Sequence, residues 1–360
     1  MDARFPEFTE RAPWWGADLQ TIRNAVVRLR RIAIAPTRLA LPLDDGTGDA
    51  LAAALHLPAG TRADGVVPSL GSGEALRPHS APPLALLVHG LGGDEDSPYM
   101  HSTATALLAR GYPVVRLNLR GAGRSRPLCG AEYHAGRTED LRKAMSAIGD
   151  GYGSGFVLVG YSLGANMVLK LAGESARASG LRAVVAVSAP IDLAAASKRF
   201  LARRNRPYHS MLLRRLKQES LAPSARRNER ERAMIRGIRN IYEFDERVTA
   251  PRNGYRSAEH YYAENAAVGF LDRIRVPALL IHAADDPWIP VDAYRELRLA
   301  DHPKLDLLLS RGGGHLGFHG RGAALPWHDR CLVQWLGRVL GCGESDDPIR
   351  GAATPSGAGC

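Results

Sequence analysis

An α/β architecture, a mostly parallel, doubly wound sheet with a helical cap inserted into it, is predicted by three features of this 360-residue sequence. Short, nearly all-apolar runs alternate with helix-forming runs, the pattern of a parallel sheet covered on both faces. One such run, Phe156 to Val159, passes through Gly160-Tyr161-Ser162-Leu163-Gly164 into a helix-forming stretch, Ala165 to Ala172. That is strand, sharp turn and helix, with G-x-S-x-G at the turn. Residues 190–275 break the rhythm; they are helix-prone and Arg-rich, with apolar residues three and four apart.

In chain order, residues 1–37 read as an N-terminal arm. The adjacent Trp14 and Trp15 suggest that it packs back onto the domain. The first part of the core, 38–189, opens with strands at Arg38–Leu43 and Asp49–Leu57, joined by the turn signal Asp44-Asp45-Gly46-Thr47-Gly48. Residues 58–83, rich in Pro, Gly and Ser, read as a surface loop. Further strands are expected at Leu84–Val88, Pro113–Leu119, Phe156–Val159 and Ala183–Val187, and helices at His101–Arg110 and Thr138–Ile148. The cap, 190–275, is expected to leave and re-enter the sheet at the carboxyl ends of the strands, where functional groups gather. Its apolar side chains would face a substrate and its arginines solvent. The second part of the core, 276–341, holds strands at Ala278–His282 and Leu305–Leu309 and helices at Asp292–Leu299 and Trp327–Leu340. The remainder, 342–360, has the composition of a disordered tail.

With 45% hydrophobic and 23% charged residues, the chain can bury a sizeable core without disulfides. No apolar run approaches the roughly 20 residues of a membrane span. No apolar core follows the first basic residue, as a signal peptide would require. Cys129, Cys331, Cys342 and Cys360 are scattered and form no C-x-x-C pair, which indicates neither a zinc site nor a disulfide framework. A cytoplasmic setting is expected. The formal charge is +10, and Lys198 to Arg256 alone carries 17 Lys and Arg against 6 Asp and Glu. Such a segment reads first as a solvated helical face; a peripheral contact with an anionic lipid surface is the further reading. No nucleic-acid partner is expected.

A serine hydroxyl needs a base, and the base an orienting carboxylate. Ser162 is the candidate nucleophile; its backbone must be strained to project the hydroxyl above the sheet, and Gly160 and Gly164 let strand and helix approach. His315 is the candidate base. It follows the last strand, in Arg311-Gly312-Gly313-Gly314-His315, where three glycines free the loop to reach across the strand ends. His319 is the nearby alternative, and His282 reads as buried in its strand. Asp286 is the candidate acid, because it precedes Pro287 and lies four residues before Pro290, past the strand end. Asp285 is the alternative, with a role in capping the turn. The oxyanion donors would be the N–H of Leu163, after the nucleophile, and that of Leu91 in the loop His89-Gly90-Leu91-Gly92-Gly93. A phosphate cradle is disfavoured there, since no Lys-Ser/Thr follows and no G-x-G-x-x-G occurs.

His89–Gly93, Asn118-Leu119-Arg120-Gly121-Ala122-Gly123-Arg124-Ser125, Gly160–Asn166, His282–Pro287 and Gly313–Phe318 occur in that order. The set resembles the YheT-like branch of the α/β-hydrolases, also called α/β-hydrolase family 4. Leu19-Gln20-Thr21-Ile22 is similar to that branch's N-terminal arm, and the likeness covers most of residues 11–340. It implies an α/β-hydrolase fold, a triad of Ser162, Asp286 and His315, and esterase or acylglycerol-lipase activity. The substrate would be a small-molecule ester bearing an acyl chain; no cofactor or metal is expected. Two rival readings are acyl transfer to an alcohol by the same triad and a non-catalytic basic binding protein. A complete triad argues against the second.

Overall fold

The computed structural model describes residues 5–27, 32–58, 82–149, 154–174, 180–298 and 302–341. In chain order these form α1 (Gly16–Val26), β1 (Thr37–Pro42), β2 (Ala50–His56), β3 (Leu84–Val88), α2 (Pro98–Leu108), β4 (Val114–Leu117), α3 (Thr138–Gly149), β5 (Phe156–Tyr161), α4 (Leu163–Glu174) and β6 (Leu181–Val187). The inserted segment holds α5 (Leu193–Phe200), α6 (Arg206–Ser220), α7 (Glu229–Gly237), α8 (Ile241–Phe244), α9 (Ala250–Arg252) and α10 (Ala258–Asn265). The sheet resumes with β7 (Ala278–Ala283), α11 (Asp292–Arg295), β8 (Leu305–Ser310) and α12 (Trp327–Leu340). The loop expected at 58–83 and the tail expected at 342–360 lie, apart from residues 58, 82 and 83, outside the described residues.

The eight strands make one sheet in the order β1-β2-β4-β3-β5-β6-β7-β8. β1 and β2 pair as the expected hairpin, β2 runs antiparallel to β4, and the remaining pairings are parallel. Side chains alternate between two core layers. Leu84, Leu86 and Val88 join the layer that includes Leu141 of α3 and Val168 of α4. Ala85 and Leu87 join the one that includes Leu107 of α2 and Trp335 of α12. Burial on both faces explains why these strands read as continuous apolar runs. Each buried Leu or Val contributes about 1.5–3 kcal/mol on a transfer basis.

Two boundaries differ from the sequence reading by three residues or more. α2 starts at Pro98 rather than His101, because a proline suits the first helical turn, where its missing N–H costs nothing. α11 is one turn, Asp292–Arg295, rather than a helix to Leu299. Tyr294 anchors that turn: its hydroxyl donates to Ala189 O at 2.6 Å, and its ring stacks on His282 at 4.1 Å.

The Asn118–Ser125 motif builds scaffold. Buried Arg120 meets Asp45 at 2.6 Å, Asp49 at 2.9 Å and Asp140 at 2.7 Å, which locks the β1–β2 turn to α3. The Ser125 hydroxyl accepts Ala52 N–H at 2.8 Å and donates to Asn118 O at 2.9 Å.

The inserted segment leaves the sheet where expected, after Val187, but does not re-enter at the same edge. β7 is parallel to β6 and therefore begins at the opposite edge. The chain crosses back as a 3₁₀ stretch, Ala267–Arg273, along α4. Asn166 of α4 fastens this crossing: Nδ2 donates to Asn265 O at 2.8 Å, and Oδ1 accepts Ala267 N–H at 2.8 Å. Among the described residues, no helix is long and apolar enough to cross a membrane.

Candidate active site

Ser162 joins β5 to α4 with a φ of 50°, in the left-handed region that costs an ordinary residue about 1–3 kcal/mol. Hydrogen bonds hold the turn from both sides. Ser162 N–H donates to Val187 O at 2.9 Å, and its carbonyl accepts Ala165 N–H at 2.9 Å. A Cβ on Gly160 would meet Gly164 O at 2.4 Å, which is the close approach of strand and helix expected from the motif. A Cβ on Gly164 would meet His89 O at 2.4 Å and Val88 O at 2.5 Å. Gly164 is thus demanded by the end of β3, a neighbour that the local motif does not reveal.

β7 runs parallel beside β6 and β8 parallel beside β7, so the loops that follow them reach the same edge. His315, after β8, has Nε2 3.0 Å from Ser162 Oγ and Nδ1 2.8 Å from Asp286 Oδ2. Asp286, after β7, takes the N–H groups of Trp288 at 2.8 Å and Ile289 at 3.0 Å on its other oxygen. Burial opposes ionisation of Asp286. The charge and hydrogen bond of His315, with the Trp288 N–H, outweigh it and hold the carboxyl below the ordinary range. An ionised Asp286 accepts from Nδ1–H, which leaves the Nε2 lone pair facing the serine hydroxyl. Trp288 stacks on the His315 ring at 4.2 Å.

The alternatives lie elsewhere. Asp285 accepts Gly314 N–H at 2.9 Å and so holds the histidine loop rather than the histidine. His319 Nε2 sits 2.8 Å from Asn24 Oδ1, and burial pushes the ring down to about 3. His282 is buried in β7, stacked on Tyr294, and desolvation lowers it to about 4.

The glycines around His315 serve packing rather than freedom. A Cβ on Gly314 would meet Ala17 O at 2.3 Å, and one on Gly317 would meet Gln20 O at 2.4 Å. They let α1 lie directly on the loop, which corrects the flexible loop of the sequence reading. Thr21 Oγ1 accepts His315 N–H at 2.8 Å, Asn24 Nδ2 donates to Leu316 O at 3.0 Å, and buried Gln20 accepts His319 N–H at 2.7 Å. The arm therefore packs back as expected, but not through its tryptophan pair: Trp15 is 56% exposed. Polar side chains on one face of α1 are the anchors, a role that apolar periodicity does not signal.

The loop after β3 lies against Ser162, so closely that a Cβ on Gly90 would meet Ser162 Cβ at 2.9 Å. Leu119 N–H donates to His89 Nε2 at 3.0 Å, so the ring proton is on Nδ1, which donates to Gly90 O at 2.8 Å. Gly90, Gly92 and Gly93 N–H groups are taken by Tyr99 Oη, Tyr133 Oη and Gly90 O. Leu91 and Leu163 both line the space above Ser162. Leu163 is the first residue of α4, where the N–H has no intrahelical acceptor.

Above the serine is a cavity of about 290 Å³, roofed by α5, α6 and α8. Leu212, Leu216 and Phe244 face it, as the helical spacing suggested. Arg215 departs from the expectation that the arginines face solvent: its guanidinium donates to Gly92 O at 2.6 Å. Several others pair within the insertion or with the core, such as Arg227 with Glu132 at 2.6 Å and Arg247 with Glu243 at 2.9 Å. Three acids also line the cavity: Glu132, Glu219 and Asp245. Desolvation raises Glu219 to about 8 and Asp245 to about 6.

The sequence pattern of the alpha/beta hydrolase fold family matches residues 83–321. YheT of Escherichia coli (strain K12), provisionally named an esterase, is 33% identical over 264 residues, 72% of this chain and 77% of that protein. This chain belongs to the alpha/beta hydrolase fold family. Its likeness to YheT agrees with the resemblance carried by the motifs. The monoacylglycerol lipase of Saccharomyces cerevisiae (strain ATCC 204508 / S288c) is 25% identical over 275 residues; the match spans 72% of this chain and 60% of that protein. Among solved structures, the Pyrococcus furiosus esterase Pf2001 superposes with a TM-score of 0.54 at 14% identity, over 86% of this chain and 99% of that one. That likeness is one of fold.

Proposed function

We propose that this chain hydrolyses carboxylic esters through an acyl-enzyme on Ser162. The observation that carries the reading is the hydrogen-bonded chain Ser162–His315–Asp286, at 3.0 and 2.8 Å, on the floor of a largely apolar cavity. His315 Nε2 takes the Ser162 proton as Oγ attacks the ester carbonyl carbon. The carbonyl oxygen becomes an oxyanion, held by the N–H groups of Leu91 and Leu163. The tetrahedral intermediate collapses with loss of the alcohol, which receives its proton from Nε2. Water, deprotonated by the same nitrogen, then attacks the acyl-enzyme and releases the acid. Asp286 keeps the imidazole in the right tautomer and stabilises the imidazolium throughout.

The esterase and monoacylglycerol lipase names of two relatives support an ester of an acyl chain as substrate. The apolar lining by Leu212, Leu216 and Phe244 suits such a chain. We include a peripheral contact with anionic lipid, supported by exposed Met211 and Leu201 beside the basic residues of the insertion. A cytoplasmic setting is part of the same reading, supported by the unpaired, buried thiols of Cys129 and Cys331. The test is turnover of a p-nitrophenyl ester series by the wild type and Ser162→Ala. Ester turnover that falls by about 10⁴-fold in the variant supports the reading, and near-wild-type turnover overturns it.

A further inference from the structure

The loop His89–Gly93 is a tight turn whose shape is fixed partly from outside the sheet. Gly93 N–H closes it on Gly90 O at 3.1 Å, with Leu91 and Gly92 at the two central positions and Gly92 at a φ of 64°. A turn with positive φ at its third residue differs from its common counterpart by a flip of the central peptide. In this turn the central peptide joins Leu91 to Gly92. Its N–H points to Tyr133 Oη at 2.7 Å. The next carbonyl, Gly92 O, accepts from Arg215 at 2.6 Å. Tyr133 is buried and is hydrogen-bonded in turn to Glu219. Arg215 and Glu219 are one helical turn apart on α6. A Cβ on Gly92 would meet Arg215 Cδ at 3.1 Å and Leu212 Cδ2 at 3.4 Å, so α6 rests on the turn itself.

Resting on the reading of Leu91 as an oxyanion donor, we propose that Arg215 and Tyr133 are positioning residues for catalysis. Together they clamp the turn to α6 and thereby hold the Leu91 N–H in line with Ser162. Arg215 grips the carbonyl on one side of Gly92, and Tyr133 grips the N–H on the other. With either grip lost, the central peptide can flip and the adjoining Gly90–Leu91 peptide tilts. The Leu91 donor then leaves the position where negative charge develops. Neither residue touches the reacting atoms; both act through the backbone of the turn. The roof of the cavity is accordingly part of the oxyanion machinery, and not merely a selector of acyl chains.

The experiment measures kcat and KM for a short, neutral p-nitrophenyl ester, together with the Ki of a short trifluoromethyl ketone, whose hemiketal oxyanion mimics the intermediate. Arg215 is exposed apart from its contact with the turn, so Arg215→Ala removes that contact and leaves the buried Leu212, Leu213 and Leu216 of α6 in place. We expect Arg215→Ala and Tyr133→Phe each to lower kcat about 10-fold or more, with KM within about 2-fold and Ki rising in parallel with the loss of kcat/KM. Arg215→Lys should recover part of the loss, and Arg214→Ala, on the neighbouring exposed position, should change nothing. Unchanged kcat and Ki in Arg215→Ala and Tyr133→Phe would overturn the clamp. So would a rise in KM alone, which would make Arg215 a substrate-binding group. Should Tyr133→Phe fail to fold, Arg215→Ala and Arg215→Lys decide the matter. A wild type without ester turnover would instead count against the hydrolase reading, so the two failures are distinguishable.

Discussion

Replacing Asp286 by Asn separates the two adjacent acids and exposes what the carboxylate does. In the wild type, one Asp286 oxygen accepts the Trp288 and Ile289 N–H groups at 2.8 and 3.0 Å, and the other faces His315 Nδ1 at 2.8 Å. The amide oxygen of Asn can keep the first pair, so the turn after β7 survives. Loss of the charged hydrogen bond should cost about 1–3 kcal/mol of stability. The amide nitrogen must then face Nδ1, and a donor facing Nδ1 forces the ring proton onto Nε2. His315 would present an N–H, not a lone pair, to Ser162 Oγ. A drop in kcat of roughly 10³–10⁴, or about 4–5.5 kcal/mol in the barrier, should follow. Asp285→Asn provides the contrast. Its oxygen can still accept Gly314 N–H, and burial together with the charges of Asp286 and Glu10 raises the Asp285 carboxyl, so removing its charge should not destabilise the fold. Ester turnover and thermal melts of both variants make the assay. A larger loss of kcat at position 285 than at 286 would refute the assignment.

Four further outcomes follow from the same geometry. Gly164→Ala should place a methyl against His89 O and Val88 O, costing about 1–3 kcal/mol in a melt and disturbing the His89–Gly93 loop, with a loss of kcat. Thr21→Ala removes the acceptor of His315 N–H; an unpaired buried N–H costs about 1–3 kcal/mol, and kcat should fall while KM holds. Polar replacement of both Leu212 and Leu216 should shorten the preferred acyl chain in a p-nitrophenyl ester series while short esters are still cleaved; an unchanged profile in a folded variant would remove α6 from substrate choice. For Glu219, the folded state keeps its proton up to about 8, whereas the unfolded chain releases it near the ordinary value of 4.5. Between those values the unfolded state binds fewer protons, so wild-type stability falls as pH rises. The melting temperature of Glu219→Gln relative to wild type should therefore climb across that window and level off above it.

Much of the core was legible because its signals are local. A parallel sheet buried on both faces must be written in apolar runs, and Ser162, Asp286 and His315 each follow such a run. Turns of special backbone shape were equally readable from Gly160 and Gly164. What sequence periodicity missed is contact between distant parts. Gln20, Thr21 and Asn24 hold the histidine loop from almost 300 residues away, and no run of apolar residues marks them. Gly314 reads as freedom for a loop, because the α1 backbone that presses on it, and on Gly317, is visible only in three dimensions. By charge pattern alone, Arg215 is one more solvated charge among its neighbours. Its bond to Gly92 O depends on where α6 lands. The return path of the insertion differs from the expectation for a topological reason: parallel neighbours start at the opposite edge from where they end, so the chain needs a crossing along α4.

The central claim is that Ser162 carries the acyl group, activated by His315. Intact-mass and peptide mass spectrometry after brief exposure to a fluorophosphonate test it most directly. The account predicts one adduct on the wild type, located on the peptide containing Ser162. It predicts none at that position in Ser162→Ala and far slower labelling in His315→Ala. An undiminished adduct in Ser162→Ala, or labelling of a different serine in the wild type, would contradict it.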